Sequence, residues 1–231
     1  MPRCLAIIPA RAGSQGLPGK NLKEIDGVSL VGHAVRSALE VDWIDEIVIS
    51  TDSQKIADEA VRFGAKCLNL RPPALATSTA LAIDAWQHEW LQAETKCGQE
   101  YNFCVWLEPT SPCRVLDDFA QVFDTYTKTQ CDGVVTISTL PGSANPNKLL
   151  TVAEDGALSY YKTHRKEHGN RQFNPDYFIV NGLIYLKDRA SILDKKQIIS
   201  PQTQAQLTTR PVVNIDDQFD LDLARWMIAR Q

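Results

Sequence analysis

Along the first half of the chain, short β-branched apolar runs alternate with longer stretches whose apolar residues recur at helical spacing, the rhythm of successive β-α-β units. The run LAII at 5–8 predicts a strand, Leu30, Val31, Ala34, Val35, Ala38 and Leu39 share one helix face, and EIVIS at 46–50 predicts the next strand. Ser53 is expected to cap a helix through Phe63, with Ile56, Ala57, Ala60 and Val61 on its apolar face and Gly64 at its C-cap. The sheet is expected to continue over 66–70. Helical periodicity returns over 79–94 and 117–128; between these lies the wholly apolar run 103–107, as a central strand requires, and 133–138 predicts a further strand. The fold class is therefore α/β, a mostly parallel sheet flanked by helices.

From 141 to 193 the rhythm changes. Strand-like pieces at 148–152 and 157–161 flank the turn Glu154-Asp155-Gly156, and a polar, basic stretch follows over 162–171, which reads as an inserted hairpin region. Two more strands are expected at 178–186, which contains Asn181-Gly182, and at 212–215. A helix over 220–229 closes the chain, with Asp216 or Asp217 available as its N-cap. The organisation expected is one domain over 1–231 with 141–193 inserted.

Composition narrows the function. With 231 residues, 44% of them hydrophobic and 23% charged, the chain is long enough to bury a full core. A net charge of -4 argues against nucleic acid or an anionic membrane as the principal partner, while a local basic pocket can still hold a nucleotide. The first apolar run is too short for a signal peptide and no uninterrupted apolar stretch reaches membrane-spanning length, so a cytoplasmic protein is expected. Six cysteines at irregular spacings, without a C-x-x-C pair, suit buried reduced thiols better than disulfides or zinc.

The chemistry concentrates in loops. The stretch RAGSQGLPGKN at 11–21 brings three glycines, one proline and two basic residues directly after the first strand, a composition suited to backbone amides wrapping an anion. It is not a Walker A loop, because Ser14 stands where the first Gly belongs and Asn21 where Ser or Thr would hold magnesium. Nor is it the dinucleotide fingerprint, since Gly13, Gly16 and Gly19 are spaced by threes. A second loop, Glu108-Pro109-Thr110-Ser111-Pro112, follows the 103–107 strand and also lies at a strand's carboxyl end.

With these loops in place, the sequence resembles the acylneuraminate cytidylyltransferases, the CMP-sialic acid synthetases and their relatives for other nine-carbon sugar acids. The matching stretches are IIPARAGSQGLPGKN, EIVISTDSQKIADEA, RPPALATSTA, LEPTSPCR, NRQF, NGLIY and NIDDQFDLDLA, in the family's order and across essentially the whole chain. The resemblance implies a Rossmann-like nucleotide-binding sheet of the nucleotide-diphospho-sugar transferase type, with 141–193 as a β-rich extension for dimerisation and the sugar site. It also implies a homodimer that joins CTP to a 2-keto sugar acid, giving a CMP-sugar and pyrophosphate, with Mg2+ as cofactor or Mn2+ in its place.

Residue by residue, the resemblance makes Arg11 and Lys20 the cations that neutralise the phosphates, Lys20 at the α-phosphate. Asp216, with Asn214, is implied as the metal ligand. Ala10, Gly13, Ser14, Gln15 and Gly16 would follow the triphosphate, Asn21 and Arg71 would read the cytosine, and Thr79 and Ala80 would complete the nucleotide side. The sugar side would draw on Glu108, Thr110 and Ser111, on Arg171 and Gln172 from the extension, and on Asn181 and Tyr185 of NGLIY. Asp52 matches a family motif too, as a brace for the first loop.

Four positions depart from the family pattern. Gln15 replaces a common Lys and Asn214 a common Asp, which weakens the implied grip on triphosphate and metal. Glu108 stands where Gln is usual, and Ala82 where some members have a serine near the ribose, which points to an altered sugar pocket. Two alternatives stay open: a CMP-Kdo synthetase, which Thr110 counts against because those relatives carry a metal-holding Asp at that place, and a non-catalytic nucleotide-binding relative.

Overall fold

A computed structural model describes residues 2–14, 16–141, 144–161 and 176–230. In chain order the elements are β1 (Cys4–Pro9), the small ribbon β2 (Glu24–Ile25) and β3 (Val28–Ser29), α1 (Leu30–Leu39), β4 (Glu46–Ser50), α2 (Gln54–Phe63), α3 (Ala82–Cys97), β5 (Phe103–Trp106), α4 (Leu116–Lys128) and β6 (Gly133–Thr139). There follow the hairpin β7 (Leu150–Val152) and β8 (Leu158–Tyr160), then β9 (Phe178–Asp188), α5 (Arg189–Leu193), β10 (Thr203–Leu207) and α6 (Gln218–Ile228).

Six strands form the central sheet in the order β10-β6-β9-β5-β1-β4. β1 pairs in parallel with β4 and β5, and β10 in parallel with β6, while β9 runs antiparallel between β5 and β6. The alternation of β1 shows how the sheet is buried: Cys4, Ala6 and Ile8 pack into one cluster with α1, α2 and α4, and Leu5 and Ile7 pack into another with Trp86 and Trp90 of α3. Both faces are covered at β1, β4 and β5, which is why these strands read as near-continuous apolar runs.

Three expectations are corrected. Residues 212–215 make no strand; Ile215 N–H instead donates to Thr110 O at 2.8 Å, and the fully buried Ile215 packs beside Leu17 and Leu221. The strand of that region is β10, whose Gln204 and Gln206 alternate with apolar residues too weakly to be seen. Residues 66–70 contribute a single bridge, Val48 to Lys66, rather than a strand. Ser53 occupies the N-cap of α2 without a side-chain hydrogen bond, whereas Gly64 closes that helix at φ 112°, where a side chain would be strained.

The NGLIY stretch is inside the central sheet rather than beside it. A bulge sets four residues of β9, 181–184, against Thr136 alone, and Gly182 takes φ 73° there. Asn181 repairs the interrupted ladder: its Oδ1 accepts from Leu183 N–H at 3.2 Å and its Nδ2 donates to the Ser138 and Thr208 hydroxyls, each at 3.1 Å. The bulge brings β9 so near the β5 loop that a Cβ on Gly182 would meet Glu108 Oε2 and Ser111 Oγ.

The predicted hairpin is present as β7 and β8, with Leu150, Val152 and Leu158 exposed. Among the described residues no helix is long and apolar enough to cross a membrane.

Candidate active site

Because β1, β4 and β5 are parallel, their carboxyl ends share one edge, and the loops leaving them enclose a cavity of about 580 Å³. The first loop is tied down at several points. Ala12 N–H donates to Asp52 Oδ1 at 2.8 Å, so Asp52 braces the loop, and Asn21 Nδ2 donates back to Arg11 O at 2.9 Å. Leu17 buries against Val213, Ile215 and the α6 residues Leu221 and Ala224. Gly16 lies so close to the Asp216 carbonyl that any Cβ would collide with it.

Three cations of this wall rest on backbone carbonyls. Arg11 Nη1 donates to Thr77 O at 2.7 Å, and Lys20 Nζ to Ile215 O at 2.7 Å and to Asp216 Oδ1 at 3.1 Å. Arg71 is 6% exposed; its Nη2 donates to Ser50 O at 2.7 Å and its Nε to Ser50 Oγ at 3.1 Å, and burial pulls its pKa down. A phosphate oxygen is a stronger, charge-assisted acceptor than a carbonyl, so an entering anion can recruit Arg11 and Lys20 from their resting partners. Asn21 and Arg71 line the cavity, yet their amide and guanidinium are also structural, holding the loop and the end of β4.

The other end is acidic. Glu108 follows β5 and is pushed above the usual carboxylate range by burial, an effect that Arg114 and a hydrogen bond to Tyr185 only partly offset. Burial raises the Tyr185 phenol as well, with the Glu108 charge adding to it. Arg114 Nη2 donates to Glu108 O at 2.6 Å and its Nε to Leu183 O at 2.5 Å, and burial lowers this guanidinium to about 10. Asp217 takes the N-cap of α6 by accepting from Asp220 N–H at 3.0 Å, which leaves the Asp216 side chain, 84% exposed, on the cavity wall.

The cavity thus gathers Arg11, Ser14, Gly16, Lys20, Asn21, Arg71 and Ala80 together with Glu108, Thr110, Asn214 and Asp216. Ala10, Gly13 and Thr79 do not line it. Ala10 is buried with its N–H on Ser50 O, Gly13 is exposed, and the exposed Thr79 faces the Thr77 hydroxyl at 3.3 Å. Ser111, Asn181 and Tyr185 stand behind the wall: Ser111 Oγ donates to Asn181 O at 2.9 Å, Asn181 serves the bulge, and Tyr185 backs Glu108. Gln15, Arg171 and Gln172 lie outside the described residues.

Two groups escaped the sequence reading. Arg114 ends the LEPTSPCR stretch, where a charge beside the apolar strand hinted at burial. Glu89 falls on the apolar face of α3 with Ala85, Trp86, Trp90 and Ala93, a periodicity visible in the sequence but read only as a helix.

For a divalent metal, the described residues contain no group of three or more His, Cys, Asp or Glu side chains. One exposed carboxylate, Asp216, and the Asn214 amide line the same cavity, and these are oxygen donors of the kind magnesium takes together with water and phosphate oxygens. The residues present fit such an ion.

A family model described as cytidylyltransferase matches residues 5–215. The chain is 33% identical over 225 residues to CMP-N,N'-diacetyllegionaminic acid synthase of Legionella pneumophila, covering 96% of this chain and 94% of that one. It is 26% identical over 232 residues to post-translational flagellin modification protein B of Campylobacter coli, covering 99% and 96% of the two. In fold it is similar to CMP:2-keto-3-deoxy-manno-octonic acid synthetase solved with CTP, at a TM-score of 0.70 and 19% identity, over 99% of each chain.

Proposed function

The chain belongs to the cytidylyltransferase family, and from that premise we propose that it couples CTP to a nine-carbon 2-keto sugar acid, a nonulosonate of the sialic or legionaminic acid type. The anomeric hydroxyl attacks the α-phosphorus, the bond from that phosphorus to the bridging oxygen of the β-phosphate breaks, pyrophosphate leaves with that oxygen, and the hydroxyl proton passes to solvent water. Such a transfer asks for positioning and charge neutralisation rather than covalent help.

The observation that carries this reading is the mix of charge around the cavity: resting cations along the first loop, the half-buried Glu108 carboxylate after β5, and the Lys20–Asp216 pair between loop and α6. In the proposal Lys20 leaves Asp216 for the α-phosphate, Arg11 leaves Thr77 for the outer phosphates, and Asn21 and Arg71 face the base. Ser14 and Gly16 offer backbone amides, and Asp216 with Asn214 holds Mg2+, which supplies charge neutralisation on the phosphates. Glu108 and Thr110 meet the sugar, Glu108 accepting a hydrogen bond from a hydroxyl or amide substituent and keeping the sugar's own carboxylate away.

Pyrophosphate release from CTP with a panel of nonulosonates tests this. Turnover with at least one of them, dependent on Mg2+ or Mn2+, is the expected result; none with any sugar acid at any metal level would sink it. The exposed apolar residues of β7 and β8, with Phe178 and Ile179, support a homodimer through this extension, and sedimentation velocity should return twice the chain mass. A cytoplasmic location belongs to the same proposal, since CTP must reach the site.

A further inference from the structure

Behind the nucleotide end of the cavity lies a carboxyl group without a part in the reaction above. Glu89 sits midway along α3 on its core face, is 1% exposed, and neither of its oxygens has a hydrogen-bond partner among the described residues. Burying an unpaired carboxylate is costly, so such a group either neutralises itself or answers to a nearby charge. The charge here is Arg71, on the cavity wall. Ser50 Oγ, at the end of β4, accepts from Arg71 Nε at 3.1 Å and lies beside Glu89 without completing a hydrogen bond to it. The remaining titratable surroundings are Cys67, with Asp58 acting on it too; His88, whose buried Nδ1 also lacks a partner; and Asp52 and Arg11, which act on Arg71 in turn.

We propose that Glu89 is a positioning residue for Arg71 and that its carboxyl group takes up a proton when a nucleotide polyphosphate enters the cavity. The inference rests on reading the cavity as a CTP site. An ionised Glu89 balances the Arg71 guanidinium from within the protein. A nucleotide's phosphates, drawn to Arg11, bring further negative charge to the wall that Arg11 shares with Arg71, and that charge acts on Glu89 across a poorly screened wall. The phosphates keep their charge at neutral pH, whereas Glu89, whose ionised form Ser50 and Arg71 support only in part, can lose its own. Burial already holds the Glu89 carboxyl at about 7, with Ser50 and Arg71 offsetting only part of that effect, so a small added repulsion raises its protonated fraction at neutral pH.

Linkage makes the coupling reciprocal. Each unit by which bound nucleotide raises the Glu89 pKa appears as about a tenfold loss of nucleotide affinity when the pH is raised through the titration.

Calorimetric titration of the full chain with CTP at constant excess Mg2+, in buffers of different ionisation enthalpy, measures the proton directly. Comparing wild type with Glu89→Gln cancels the ligand's own protons, and a merely structural role for Glu89 would leave the difference at zero. Near pH 7 wild type should take up about 0.3 to 0.4 more protons per CTP than E89Q, because the carboxyl is already about half protonated there before CTP binds. From about pH 6 to 8.5 its affinity should fall roughly three- to tenfold more than that of E89Q, with the two alike at the acid end. Should the amide variant not fold, Glu89→Met provides the same comparison. Equal proton uptake and parallel affinity profiles would overturn the inference and leave the CTP site standing. Absence of CTP binding by wild type at every pH would overturn the reading of the cavity, and the inference with it.

Discussion

In the proposed reading the cavity has a nucleotide end, at the first loop, and a sugar end, after β5, and the two are charged by different means. At the nucleotide end, Arg11 and Lys20 rest on carbonyls of residues 77 and 215, neutral acceptors that a charged phosphate oxygen can outcompete. At the sugar end, Glu108 is half-buried against Tyr185, and Arg114 holds its backbone carbonyl. Here the protein has already committed the partners, and a ligand must match what remains. The first arrangement favours any polyphosphate of the right size, whereas the second discriminates, because a buried polar group left unpaired by the wrong ligand is penalised. The common half of the reaction thus sits where exchange is easy and the variable half where it is not.

The contrast is sharpest at Lys20. Lys20→Ala should lower kcat by about 100- to 1,000-fold in the pyrophosphate assay, as removal of a cation aimed at developing phosphate charge does. Unchanged kinetics would remove Lys20 from the nucleotide end and break the comparison.

A second expected effect concerns the buried carboxyl behind that end. Below the ordinary glutamate range both folded and unfolded chains hold the Glu89 proton, so it contributes no pH dependence. Between 4.5 and about 7 the unfolded chain has released it and the folded chain has not, so stability falls as pH rises through that window and stays lower above it. Glu89→Gln abolishes this contribution. Denaturant unfolding at pH 4.5 and pH 8 should therefore show the variant gaining on wild type by on the order of 3 kcal/mol across the interval. A constant difference between the two proteins would mean that Glu89 titrates normally.

The smallest expected effect separates the ends most cleanly. Glu108→Gln keeps the side chain's shape and removes its charge. It should change the ratio of kcat/KM values between sugar acids on the order of tenfold while leaving the KM for CTP unchanged. A rise in the KM for CTP of similar size would place Glu108 at the wrong end.

How much of this was legible in the sequence differs between the two ends for the same physical reason. The nucleotide end is mostly one short segment, and Gly, Pro, Arg and Lys crowded after a strand announce a loop of special backbone and positive charge. The sugar end is assembled from residues 108, 114, 185 and 214, which meet only because β9 runs antiparallel beside β5 and bulges at Gly182. Ser111, Asn181 and Tyr185 were visible as polar residues in the right stretches, but whether they face ligand or brace the wall depends on that bulge. Periodicity cannot express it.

The sequence by itself determined the α/β class, the order of most elements, the hairpin and the loop at 11–21, because these follow from local apolar spacing and turn chemistry. Tertiary structure decided the rest. It placed β9 in the centre of the sheet, made β10 rather than 212–215 the edge strand, and gave the α6 cap to Asp217 so that Asp216 is left at the cavity. It also set Glu89 unpaired behind Arg71. Each of these outcomes turns on which partner a group finds across the fold, and burial and hydrogen bonding reward that partner irrespective of its distance along the chain.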